Sequence, residues 1–199
     1  MTMYEDPKAV LVRYLARARE AVLWKLDGLS EHDVRRPLTP TGTNLLGVVK
    51  HLAAMEAGYF GDCLGRPLPD LPDWYAALMD DTLEDNGDMW ATADESRESI
   101  LGLYGRASAH ADEVLADLDL DATGTVSWWG EGGETVPVHV LLVHMIAETN
   151  RHAGQMDIVR ELVDGATGMR AEAPNLPQQD EEWWAAHRQR LQETADRFR

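Results

Sequence analysis

The sequence predicts an all-α protein, a four-helix bundle with a long crossover and an extra C-terminal helix. Three observations predict it. Apolar residues recur at three- and four-residue steps in four separate segments, no strand pattern with period two survives, and one connection is long enough to cross the bundle. A chain of 199 residues is long enough for one well-developed core and too short for two full-sized domains. One domain over 1–199 is therefore expected, with 166–199 as its C-terminal loop and helix.

The first long helix opens at Asp6-Pro7, an N-cap followed by a first-turn proline, and Val10, Leu11, Tyr14, Leu15, Ala18, Val22 and Leu26 carry its apolar stripe as far as Gly28. A polar, proline-containing connection over 36–42 follows. Leu45, Val48, Leu52, Met55 and Tyr59 then mark a second helix that ends before Gly61 or Gly65. From 65 to about 89, three prolines and an acidic run predict an irregular crossover with a short helical turn at 74–79. Thr92 and Glu95 have the spacing of a capping box and open a third helix through Ile100, Leu103, Tyr104, Ala107, Val114 and Leu118. Residues 123–135, which carry Trp128 and Trp129 among glycines, read as a loop. Val136-Pro137 starts the fourth helix and Gly165 stops it. Asp180-Glu-Glu begins the terminal helix, with Trp183, Trp184, His187 and Leu191.

Eighteen Lys and Arg stand against 35 Asp and Glu, a formal charge of -17. Such a surface repels phosphate backbones and anionic lipid, which argues against nucleic acid and membrane as partners and leaves a small-molecule substrate. Cys63 is the single cysteine. No intramolecular disulfide is available, which fits a reducing compartment, and with no base adjacent Cys63 reads as an inert thiol. The first six residues lack a basic n-region and an apolar h-region, and no window nears ~18 uninterrupted apolar residues. A cytoplasmic protein, monomer or homodimer, is expected.

The chemistry concentrates in His144-Met-Ile-Ala-Glu148-Thr-Asn-Arg-His152-Ala-Gly-Gln155 on the fourth helix. At about 100° per residue, His144 and His152 fall within roughly 40° of Glu148, and Gln155, Leu141, Val159 and Leu162 share the arc. Asp157, Arg160, Glu161 and Asp164 fall opposite, so Glu148 is predicted near the middle of the buried face. Burying an ionised carboxylate costs several kcal/mol unless it has a partner, and a divalent cation shared with imidazoles is one such partner. Glu148 and His152 are one turn apart and suit a single ion, as do His144 and Glu148. His144 and His152 are about 12 Å apart along the axis and do not. Another helix must supply the third ligand, and His51, on a face with Asn44, Val48, Met55 and Gly58, is the candidate. Two His and one carboxylate leave a coordination position open, the pattern of a catalytic site, and suit zinc, nickel, iron or manganese. The competing reading is a solvated salt bridge on the fourth helix and a buried His51 bonded to a neighbour. His32, His110, His139 and His187 lack supporting partners and read as surface or packing residues.

With these residues identified, the chain resembles the DinB superfamily of bacterial four-helix-bundle metalloproteins, and specifically the branch near mycothiol-dependent maleylpyruvate isomerase. The resemblance is carried by Trp24-Lys-Leu-Asp-Gly-Leu-Ser30, by Gly47-Val-Val-Lys-His51-Leu with Glu56 and Tyr59-Phe60, and above all by the His144–Gln155 stretch. It implies a metal held by a His on the second helix and an [HE]xxxH pair on the fourth, which map onto His51, Glu148 and His152. The isomerase has an additional C-terminal domain that helps bind its thiol, for which this chain is too short.

The resemblance implies a divalent-metal-dependent S-transferase using mycothiol or another low-molecular-weight thiol, zinc being the first candidate ion. His144 and Gln155 would orient ligands or face substrate, and Trp128 and Trp129 would wall the mouth or simply anchor their loop. The alternatives are metal-assisted hydrolysis, with His144 as the base, and a non-catalytic metal or small-molecule binding module.

Overall fold

The structure, a computed structural model, describes residues 6–199; residues 1–5, on which most of the reading of the N-terminus rests, lie outside them. Four long helices dominate the described residues: α1 (Pro7–Trp24), α3 (Leu45–Phe60), α5 (Arg97–Asp117) and α6 (Val138–Asp164). Shorter α2 (Glu31–Arg35) and α4 (Asp73–Met79) interrupt the connections, and α7 (Glu181–Asp196) follows α6. Helix α3 packs on both α5 and α6, and α1 packs on α6. Lys8 Nζ donates to the carbonyls of Ala116 and Leu118, and Arg19 pairs with Asp112, so α1 also meets the end of α5 and the ring of four closes. No helix among the described residues is long and apolar enough to cross a membrane.

Local chemistry sets the boundaries. Asp6 accepts from the Lys8 N–H at 3.0 Å ahead of Pro7, and Asn44 accepts from the Gly47 N–H at 2.8 Å to start α3. Gly165 ends α6 with a φ of 78°, a left-handed cap that suits glycine.

Four expectations are corrected. Residues 123–135 are not simply a loop: β1 (Thr123–Val126) and β2 (Glu134–Pro137) form an antiparallel hairpin with Thr125 opposite Thr135. β1 alternates exposed and buried residues over four positions only, too few to stand out in the sequence, and the glycines between the strands, with positive φ at Gly130, Gly132 and Gly133, make the turn. The Thr92 N–H does bond Glu95, at 2.8 Å, but α5 begins only at Arg97, capped by Ser96. Glu95 is also bound by Lys50, which holds it in the preceding turn. Ser30 caps the short α2, which the sequence reading passed over. Finally, the buried face of α6 includes Leu141, His152 and Val159 as expected, but it is broader and extends through Val138, Leu142, Met145, Thr149, Ala153, Met156 and Arg160. Leu162 is exposed, and Arg160 is buried because its guanidinium reaches the carbonyls of Trp24 and Lys25 on α1.

Two apolar clusters fill the bundle. Val22, Leu26, Leu46, Leu52, Leu103 and Met156 belong to one, and Leu15, Phe60, Leu115, Leu142 and Met145 to the other, with Met55 packed against both. Each fully buried leucine contributes roughly 1.5–3 kcal/mol. Between the helices lies a buried ion pair, Arg19 with Glu56, joined by two 2.7 Å hydrogen bonds. The loop after α6 is tied back by the fully buried Lys25, whose ammonium bonds the Gly168 carbonyl and Asp157.

Candidate metal centre

The stripe on α6 is centred near Thr149, so Glu148 lies roughly 80° from its centre at about 100° per residue. It is half-buried, with 26% of its side chain exposed, rather than at the middle of the buried face. That edge is where α6 meets α3. His51 reaches it from α3, and His152, one turn beyond Glu148 and buried, closes it from α6.

The three residues expected to share an ion come together. Glu148 Oε1 lies 3.0 Å from His152 Nε2 and 3.4 Å from His51 Nε2. The imidazole rings meet edge to face at 4.8 Å between centroids. One ligand atom from each residue lies within 4.8 Å of the other two. Ligands near 2.1 Å from a tetrahedral zinc stand roughly 3.4 Å from one another, the scale of both contacts to Glu148.

The opposite ring nitrogens define the electrostatics. His51 Nδ1 is 2.7 Å from Asp88 Oδ2, and His152 Nδ1 is 2.8 Å from Gln155 Oε1. A carboxylate only accepts, so His51, with Asp88 on Nδ1 and Glu148 on Nε2, is set to carry a proton on both nitrogens, whereas the Gln155 amide can donate or accept and suits either tautomer of His152. Two Nε2 atoms thus converge on one carboxylate oxygen, an arrangement that calls for positive charge between them. Either a proton or a metal cation must supply the missing charge.

In the metal-free protein the proton falls to His51. Burial opposes its charged form, but the hydrogen bonds and charges of Asp88 and Glu148 outweigh burial and raise His51 to about 9. The hydrogen bond from His51, with further help from His152, lowers Glu148 to about 2 despite partial burial. His152 is lowered, by burial first and then by the charge on His51. The cluster is thus built to hold one positive charge, and the donor set of two nitrogens and a carboxylate suits a divalent ion of the zinc type.

The other candidates divide. Gln155 is at the cluster, bonded to His152. His144 is not: its ring packs 4.7 Å from Tyr59 and 4.9 Å from Trp129. Trp128 and Trp129 each donate an indole N–H to Tyr59 Oη, at 3.2 and 3.1 Å. These four rings form an aromatic group around the hairpin end of α3 and α6, with Trp128 still 42% exposed. His110 and His139 bond backbone carbonyls of Arg66 and Leu120, as packing residues do. Cys63 is buried, and burial, with a smaller contribution from Asp62, pushes its thiol up to about 12.

Asp88 is the residue that sequence reasoning missed. It sits in an acidic, irregular stretch that looks like a solvated loop, 37 positions from its partner, and no local spacing connects the two.

A search of curated proteins returns no match. The family comparison does, over a span that contains His51, Asp88, the tryptophan pair, Glu148 and His152 and stops at the glycine cap of α6. The chain belongs to the mycothiol S-transferase family, whose model, described as Mycothiol-S-transferase, matches residues 10–165.

Proposed function

We propose that this protein is a divalent-metal-dependent S-transferase that joins mycothiol to a small electrophile, with His51, Glu148 and His152 holding the ion and zinc the favoured metal. The reading extends the family's thiol-transfer chemistry to this chain as one DinB-like domain. The observation that carries it is the convergence of His51 Nε2 and His152 Nε2 on the Glu148 carboxylate, with Asp88 and Gln155 on the opposite ring nitrogens.

When bound, the ion would act as a Lewis acid that lowers the pKa of the cofactor thiol toward neutrality. The protein's own groups prepare that event. Asp88 and Gln155, each on an Nδ1 atom, would orient the two imidazoles with Nε2 toward the ion. Glu148 contributes a negative charge that persists across the physiological range. The aromatic group of Tyr59, Trp128, Trp129 and His144 supplies an apolar flank on which an electrophile can rest. In the transfer the sulfur forms a bond to the electrophilic carbon, the leaving group departs with the electron pair of the broken bond, and the thiol proton passes to solvent. Hydrolysis with His144 as base loses ground, because that ring is packed among Tyr59 and Trp129.

The test begins with metal analysis of protein purified without chelator or nickel affinity, beside His51→Ala and His152→Ala. About one divalent ion per chain, lost in both variants, is expected. Mycothiol conjugation of a panel of electrophiles should then depend on the ion. Ion binding without turnover above the uncatalysed rate would make this a binding module. Absence of the ion, with the variants folded, would overturn the metal reading.

A further inference from the structure

We propose that Asp88 is the positioning residue for His51, and that Lys50, the neighbour of His51 in the chain, sets Asp88 in place by clamping the segment 87–95 onto α3. The inference rests on the metal site proposed above, but its parts are contacts of this chain alone.

The clamp is built from one face of α3. Lys50 is buried, and its ammonium has three N–H donors. It meets the Gly87 carbonyl at 3.0 Å, the Trp90 carbonyl at 3.1 Å and the Glu95 carboxylate at 3.0 Å. All three acceptors come from this one segment. Six residues earlier, Asn44 gives its amide N–H to the Met89 carbonyl at 3.1 Å while its oxygen caps α3. Gly47 lies between them, and a Cβ there would overlap the Met89 carbonyl. Glycine is what lets the segment lie against the helix. Residues 87, 89 and 90 are thus fastened to α3 through their carbonyls. Asp88, which lies between these fastened residues, turns its carboxylate to His51 Nδ1 at 2.7 Å.

A carboxylate on the far nitrogen of a metal-binding histidine fixes ring orientation and raises ligand basicity, and its removal typically costs about 10–100-fold in metal affinity. Lys50 offers a test of sign. By charge alone an ammonium close to the site repels a dication, so Lys50→Met should tighten binding. If Lys50 acts by holding Asp88, the same change should weaken it.

The experiment titrates zinc alone, and cobalt alone, into full-length wild type, Asp88→Asn, Lys50→Met and the double variant against a chromophoric chelator, after circular dichroism has established that each is folded. Both single variants are expected to lose about 10–100-fold in affinity, and the double variant to lose no more than the worse single one. Unchanged affinity in Asp88→Asn, tighter or unchanged binding in Lys50→Met, or losses that multiply would each overturn the proposal. If Lys50→Met does not fold, Lys50→Ala, which likewise removes every N–H donor, replaces it and is held to the same outcomes. A second readout needs no metal. The His51 Nδ1–H should give a protected nitrogen-15-correlated proton signal in wild type that disappears in Asp88→Ala and in the Lys50 variant. Wild type that binds neither ion yet shows this pattern would refute the metal reading and leave the positioning role standing; a signal unaffected by either change would refute the positioning role.

Discussion

Replacing Glu56 by Gln tests whether the bundle depends on its buried ion pair. The Glu56 side chain is fully buried and that of Arg19 is 7% exposed, and the two share a pair of 2.7 Å bonds. Burial raises the Glu56 carboxyl, and the hydrogen bonds and charge of Arg19 oppose it. Glutamine keeps the shape, removes the charge and turns one acceptor into a donor facing the guanidinium. What then remains for Arg19 is Asp112, itself about half exposed. Breaking a buried pair from one side costs about 3–5 kcal/mol, and the surviving bond to Asp112 places this case near the lower end, about 3 kcal/mol. In a protein of this size that is a fall of roughly 6–12 °C in Tm. Urea and thermal unfolding, followed by circular dichroism on metal-free protein, read the loss directly. A double variant, Arg19→Met with Glu56→Met, removes both charges together and should recover to within about 1 kcal/mol of wild type. A single variant within about 1 kcal/mol of wild type, or a double variant no better than the single, would refute the reasoning.

The raised His51 makes metal uptake compete with a proton. Because its level of about 9 lies above neutrality, the ring is charged at pH 7 and must release close to one proton when Nε2 takes an ion. Affinity should therefore rise about tenfold per pH unit up to about pH 9 and level off above it. Calorimetry in buffers of different ionisation enthalpy measures the release, and uptake without it at pH 7 would contradict the assignment. Cys63 should resist alkylation in the native protein at pH 8, since a thiol at about 12 is thiolate in only about one molecule in 10⁴. Rapid labelling before unfolding would show the thiol to be accessible after all.

The long helices were legible because each writes its own signal. A 3.6-residue stripe survives in any local window, and caps such as Asp6-Pro7 and Gly165 depend only on adjacent residues. The triad was legible for the same reason in part, since Glu148 and His152 are one turn apart, while His51 was selected by its helix face and by family resemblance. The hairpin was not, because four-residue strands carry too few alternations to register. Nor was the depth of Glu148: a helical wheel gives relative angles but not which face the neighbours cover, and Arg160 drew the buried side toward α1 while Leu162 was left in solvent. Asp88 depended entirely on tertiary structure. An acidic crossover has no preferred conformation of its own, and only Asn44, Gly47 and Lys50 on α3 hold it where one carboxylate meets the far side of His51. By itself the sequence determined the helices, the charge that disfavours polyanions and the residues able to share a cation. Contacts between residues remote in the chain, which no local pattern encodes, decided how those residues are oriented and which neighbours govern them.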